Sequence, residues 1–295
     1  MKHVHFFKAY SRLGLINKPN KSDAVNEGVE HGSDAVLSDE FLRQLNANYS
    51  LSYFSFSNPD KINPKDYEKI IASESDAFAN QINNLLREEQ VQVVVGGDHS
   101  TAFPSVLSVL RRVHPDAHIG YIQFDSHGDL HTFKTTPSGN YHGMWLRTLM
   151  DNVESKPIDD IVKRHLDPHS SLIYGNLDLE DAESSYIKKN HIDVWSEDDL
   201  LNDFDFAHQY IRSFVSKYDH IHVSFDIDVF DAQFASATGT PAPDGLDPSH
   251  VFPLLETLSK AKHLSMDLVE VNPQKNGAET TIDMAQKVIE TLLDV

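Results

Sequence analysis

Short runs of apolar, β-branched and aromatic residues recur along the chain, and each stops at a cluster of Gly, Asp, Asn or His. Residues 91–95 lead into GGDHS, 119–124 into DSHGD, 172–174 into GNLDLE, 221–225 into DIDVFD, and 264–269 into EVNP. Runs of this length and composition predict strands buried on both faces. Between them, residues 66–89, 103–113, 205–218 and 249–261 carry helix-like patterning, and a final helix is expected to close the chain. Strands alternating with helices predict an α/β fold around a parallel sheet. Ligands of such sheets bind beyond the carboxyl ends of the strands, and every polar cluster named above falls at that end. The stretch 11–39 is polar, carries helix-breaking signals and reads as a loop. No repeat, low-complexity tract or Pro/Gly/Ser linker divides the sequence, so residues 1–295 are expected to form one catalytic domain.

Composition then removes whole classes of function. The chain has 25 Lys and Arg against 45 Asp and Glu, a formal charge of −20. That excess repels a phosphate backbone, whose binding relies on basic residues displacing counterions, so no nucleic acid partner is expected. A mean hydropathy of −0.40 fits an ordinary globular chain. The absence of cysteine excludes disulfides, thiolate zinc sites, iron–sulfur clusters and a cysteine nucleophile. The N-terminal MKHVHFFKAYSRLGL has no apolar core of signal-peptide length, and no stretch approaches the roughly 18 apolar residues of a membrane span. A cytoplasmic protein with no membrane partner is expected.

Asp125, His127 and Asp129 follow one predicted strand, Asp226 and Asp228 follow another, and His99 follows a third, after Gly96-Gly97, read here as a pair chosen for backbone freedom. Residues two apart in extended chain point to the same side, so each set can converge on one point. Any one of these aspartates reads equally well as a helix cap or a solvated loop residue. With 17 histidines in the chain, a His near an Asp also carries little by itself. Asp116-Ala117-His118, which precedes its strand, is read as surface loop. The set as a whole differs, because four carboxylates at adjacent buried strand ends repel one another without a counter-charge. Two divalent cations supply it. Carboxylate and imidazole ligands without sulfur favour Mn²⁺, with Fe²⁺, Co²⁺, Ni²⁺ or Zn²⁺ as alternatives.

In order along the chain, GGDHS (96–100), DSHGD (125–129), SGNYHG (138–143), SFDIDVFD (224–231) with TGTP (238–241), and EVNP (270–273) resemble the motifs of the ureohydrolases, the arginase and agmatinase superfamily. GVEHGSDAV (28–36) is a weaker echo. The resemblance implies a three-layer α/β/α fold with a central, mostly parallel sheet, and a homo-oligomer, trimer or hexamer. It implies two Mn²⁺ per chain, one held by His99, Asp125, Asp129 and Asp226, the other by Asp125, His127, Asp226 and Asp228, with a hydroxide between them as nucleophile. It further implies that Asp129 orients that hydroxide and takes up its proton, that Glu270 holds the guanidinium, that His142 shuttles protons, and that the Thr240 hydroxyl lies near the guanidinium end.

The loop carrying Ser138 and Asn140 resembles the arginase version, in which these groups hold an α-carboxylate, and so implies L-arginine as the small-molecule substrate. Three positions depart from that pattern. His131 stands where arginases commonly have an Asn that touches the carboxylate. Glu180 stands where they have an Asp facing the α-ammonium. Trp145 replaces a usual Pro, placing a bulky ring near the pocket rim. The alternatives are another ureohydrolase, of agmatinase, guanidinobutyrase or formiminoglutamase type, or a catalytically silent metal-binding homologue.

Overall fold

Eight parallel strands form the middle layer of the computed structural model, which describes residues 2–15, 26–59 and 62–295. The strands are β1 (His3–Tyr10), β2 (Asn48–Ser55), β3 (Gln90–Val95), β4 (Ile119–Phe124), β5 (Ser171–Tyr174), β6 (Asp193–Trp195), β7 (His220–Asp226) and β8 (Leu264–Val269). Their order across the sheet is β2-β1-β3-β8-β7-β4-β5-β6, and every pairing is parallel, one step beyond the mostly parallel sheet expected.

Helices α1 (Gly32–Val36), α2 (Asp39–Gln44), α8 (Glu197–Asn202), α9 (Phe204–Lys217), α10 (Pro248–Leu258) and α11 (Ala278–Leu293) bury their apolar sides against one face. On the other face lie α3 (Pro64–Leu85), α4 (Ala102–Arg112), α5 (Trp145–Met150), α6 (Lys156–Asp159) and α7 (Asp181–Asn190). Local chemistry sets their starts. Asp247 precedes α10, its carboxylate accepts the Ser249 N–H, and Pro248 fills the first helical position, where no N–H is needed.

The region 11–39 departs from its reading as loop. Leu13–Leu15 and Val29–His31 form 3-10 turns and Gly32–Val36 is helical; residues 16–25 lie outside the described residues. His114, Asp116 and His118 are largely exposed, as a surface loop requires.

The strands that read as apolar are polar on alternate positions of one face. Tyr121 pairs with His222 and Gln123 with Ser224 across β4 and β7; His222 pairs with Ser265 and Ser224 with Asp267 across β7 and β8. All of these side chains are buried, so they must satisfy one another. His222 Nε2 meets Asp267 Oδ2 at 2.7 Å, and the Ser265 hydroxyl lies 2.8 Å from His222 Nδ1 and 2.7 Å from His220 Nε2.

Burial depresses the His220 pKa to about 3, with His222, Arg112 and His263 adding like charge. Unfolding restores a value of about 6.5. Below that value the unfolded chain binds a proton that the folded chain refuses. The stabilisation is therefore complete above pH 6.5 and is lost as pH falls toward 3, at about 1.4 kcal/mol per pH unit. In urea unfolding of the metal-free protein between pH 6 and 4, His220→Gln is expected to shed that part of the slope. A slope equal to that of the unsubstituted chain would contradict it.

Candidate metal centre

Four adjacent central strands, β3, β8, β7 and β4, deliver His99, Glu270, Asp226 and Asp125 from their carboxyl ends. Chain order reverses there, since β3 and β4 are separated by β8 and β7, and this is where an open α/β sheet leaves a crevice. Asp125 is fully buried. Its Oδ1 accepts the His127 N–H at 2.7 Å and its Oδ2 accepts Gln123 Nε2 at 2.7 Å. Asp226 likewise turns the chain by accepting the Asp228 N–H at 2.9 Å, and Asp228 Oδ1 takes the Ser126 hydroxyl at 2.8 Å.

Gly96 and Gly97 bring His99 in, though not through backbone freedom: neither has a positive φ. A Cβ on Gly97 would stand 1.7 Å from the Ser11 carbonyl oxygen, and one on Gly96 would stand 1.9 Å from Thr101 Oγ1. Space is what these positions require.

His99 Nδ1 ends 3.1 Å from Asp125, 2.9 Å from Asp129 and 3.2 Å from Asp226. His127 Nδ1 lies 3.4 Å from Asp125 and 3.2 Å from Asp228. Two nitrogen and oxygen clusters with the spacing of metal ligands thus share Asp125. Burial works against a charged His99 and His127, yet Asp125 with Asp129, and Asp228 with Asp125, raise both imidazoles well above their ordinary range. Burial and the nearby Asp228 push Asp226 up, whereas His127 holds Asp228 low in spite of its burial. The acids crowd around the two imidazoles, where divalent cations would supply the positive charge. The donor set, imidazole and carboxylate without sulfur, fits Mn²⁺.

A second layer fixes these groups. The Ser224 hydroxyl donates to Asp267 Oδ1 at 2.6 Å, so its oxygen is left to accept from His99 Nε2 at 3.1 Å. That assigns the His99 proton to Nε2 and leaves Nδ1 for a metal. Trp145 corrects its expected place at the rim. It is fully buried beneath the site, and its Nε1–H donates to Asp129 Oδ2 at 2.6 Å. Asp129 and Glu270 have φ of 53° and 66°, two of five such non-glycine residues among the described ones. Strain of this kind persists where surrounding contacts over-determine a functional position.

Both Glu270 oxygens are held, Oε1 by the His99 N–H at 2.9 Å and Oε2 by Asn26 Nδ2 at 2.6 Å; Asn26 is in turn fixed by Asn272. Burial, then Asp98, raises the Glu270 pKa to about 8, so an incoming cation would be met by a carboxyl that gains from ionising beside it. A cavity of about 420 Å³ opens above the two clusters. Its lining includes His99, His127, Asp129, Asp226, Asp228 and Glu270, together with Ser138, Asn140, His142, Glu180 and Thr240. Among the described residues, Asn140 Oδ1 finds no hydrogen-bond partner although it is buried there, a state that a ligand donor would relieve. Burial lowers the His142 pKa against the pull of Asp129.

Of the residues singled out in the sequence, Asp125 and Trp145 are fully buried and outside that lining, and His131 is outside it too. His131 is buried, with Nε2 in contact with Glu180 and 3.4 Å from Glu183, and Nδ1 3.2 Å from Thr135 Oγ1. Asn26, Gln123, Ser126, Ser224, Asp267 and Glu183 also support the site and are not among the candidate residues that its motifs mark. Gln123 and Ser224 each lie two positions before a candidate ligand and so share its face, a signal present in the sequence. Asn26 and Asp267 reach the site only through long-range packing.

The Arginase family model matches residues 13–294. The chain belongs to the arginase family. Over 301 residues it is 30% identical to the arginase of Entamoeba histolytica, covering 97% of this chain and 99% of that one, and it is 30% identical to the mitochondrial arginase-2 of Rattus norvegicus, covering 94% and 83%. The crystal structure of the Entamoeba histolytica arginase in complex with L-ornithine superposes with a TM-score of 0.85 at 25% identity, over 100% of this chain and 99% of the other. The formimidoylglutamase of Bacillus subtilis shares the fold, at TM-score 0.73 and 18% identity over 100% and 87%. The fold is thus the arginase fold, three layers about a parallel sheet, and the protein is a hydrolase of the ureohydrolase type.

Proposed function

We propose that the protein hydrolyses L-arginine to L-ornithine and urea with two Mn²⁺ per chain, as a cytoplasmic homo-oligomer of trimeric or hexameric form. The observation that carries the reading is the pair of His/Asp clusters sharing the buried Asp125, with His99, His127, Asp226, Asp228 and the held Glu270 in the lining of one cavity. His99, Asp125, Asp129 and Asp226 would hold one cation; Asp125, His127, Asp226 and Asp228 would hold the other. When bound, two divalent cations supply Lewis acidity and, from water, hydroxide near neutral pH.

A guanidinium is planar and always charged. Glu270, fixed by its two donors, binds it by charge-assisted hydrogen bonds and orients its carbon toward the clusters. Asp129, held by the Trp145 N–H, orients the attacking water and takes up its proton. His142, kept uncharged by burial, can accept a proton in the cavity and pass it to the leaving amine. Ser138 and Asn140 would receive the α-carboxylate, Glu180 the α-ammonium, and Thr240 would lie by the guanidinium end.

The contact of Glu180 with His131 favours a second reading, a related guanidino substrate lacking the α-ammonium, because an acid already engaged by an imidazole offers less to an amine. Urea and amine release from arginine and from other guanidino compounds separates the two. A preference for arginine supports the first reading, and a preference for an amine-free substrate overturns it.

A further inference from the structure

The two edges of the sheet are unlike. β6 is three residues long and begins at the exposed Asp193. β2 runs for eight, NYSLSYFS, with no charged residue and no proline in a chain of net charge −20. Natural edges are usually guarded by short length, charge or proline, and β2 has none of these guards.

Among the described residues, β2 pairs with β1 and with no other strand. The Asn48 N–H donates to the Lys2 carbonyl and the Phe56 N–H to the Tyr10 carbonyl, both at 3.1 Å. Even-numbered residues therefore face β1, and the alternation turns the backbone N–H and C=O of Tyr49, Leu51 and Tyr53 outward. The Tyr53 carbonyl also accepts Gln81 Nε2 at 3.0 Å, which leaves it a second lone pair. The same three residues expose their side chains by 43%, 43% and 70%.

We propose that β2 pairs with the β2 of a second copy of this chain, antiparallel about a two-fold axis at Leu51. The sequence of the edge argues for that partner over a foreign strand. Residues 49–53 read YSLSY, the same in both directions. An isologous contact requires a surface to complement itself. Antiparallel pairing about Leu51 sets Leu51 against its own copy and Tyr49 against Tyr53 of the other chain, aromatic on aromatic, with outward backbone groups meeting outward ones in every pair. Charge agrees: two copies at −20 repel, and an uncharged strand is where approach costs least. The pairing would join two sheets into one with the carboxyl ends of their strands opposed, so each cavity stays open to solvent.

The chain has no cysteine, so a single Leu51→Cys reports on this contact alone. Opposed residues of a hydrogen-bonded antiparallel pair have Cα atoms about 5.5 Å apart, within disulfide reach. Mild oxidation of the Mn²⁺-loaded full chain is expected to give a covalent dimer for Leu51→Cys and none for Leu201→Cys, a control at a 63% exposed site away from the edge. By light scattering, the wild type is expected to have the mass of a hexamer, two trimers joined through this two-fold contact, and Leu51→Lys that of a trimer, with the circular dichroism spectrum unchanged. A monomeric or trimeric wild type, a mass indifferent to Leu51→Lys, or equal cross-linking of the two cysteine variants would overturn the proposal. None of these outcomes bears on the hydrolytic reading.

Discussion

Glu270→Gln is expected to lower kcat/KM for L-arginine by about 10²–10³-fold, or about 3–4 kcal/mol of transition-state stabilisation, without loss of bound metal. Both Glu270 oxygens are positioned by donors that Gln can only half satisfy: its amide oxygen can keep one contact, while its NH₂ opposes either the His99 N–H or Asn26 Nδ2. The substitution thus removes the charge that opposes the guanidinium and disturbs the shell that aims it. Glu270 lies outside both ligand clusters, so metal content should stay at the unsubstituted level. Urea release with parallel metal analysis checks this. Near-normal turnover, or loss of metal, would remove Glu270 from the role of guanidinium ligand.

A comparable loss is expected for Asp129→Asn, in kcat more than in KM. Asp129 approaches His99 Nδ1 at 2.9 Å through Oδ2, the oxygen that also accepts the Trp145 N–H, and it sits at a φ of 53° that contacts on several sides must hold. Asn is nearly isosteric and tolerates that backbone region, so the fold and most of the metal affinity should survive. Proton uptake should not, and general-base removal typically costs 10²–10⁴-fold. The ratio of turnover to bound metal isolates the effect. Undiminished kcat at full metal content would falsify the assignment of Asp129 as proton acceptor.

Strands β3, β4, β5, β7 and β8 were legible because dense β-branched and aromatic runs end in conspicuous polar clusters, and the six ligand candidates were legible because they occupy those clusters. β1 and β2 were not. HVHFFKAY and NYSLSYFS mix polar with apolar positions and end in no such cluster, so they lacked the mark that identified the others. The polar interior of β7 and β8 was hidden for a related reason. His220, His222, Ser224, Ser265 and Asp267 read as interruptions of apolar runs until strand pairing places them in contact. Trp145 was misplaced because its burial depends on how α5 packs beneath Asp129, and nothing local to its sequence encodes that. His131 and Glu180 occupy motif positions that carry no sign of each other in the sequence, and the fold brings them into contact.

The choice of substrate is the central claim, and it turns on whether that pairing leaves Glu180 able to meet an α-ammonium. Steady-state kcat/KM of the Mn²⁺-loaded protein for L-arginine, agmatine, guanidinobutyrate and formiminoglutamate decides it. Because a site built around charged groups rejects a substrate that lacks their partner, arginine is predicted to exceed each of the others by at least about tenfold, with ornithine and urea formed in equal amounts. Arginine turned over no better than the rest would contradict the account.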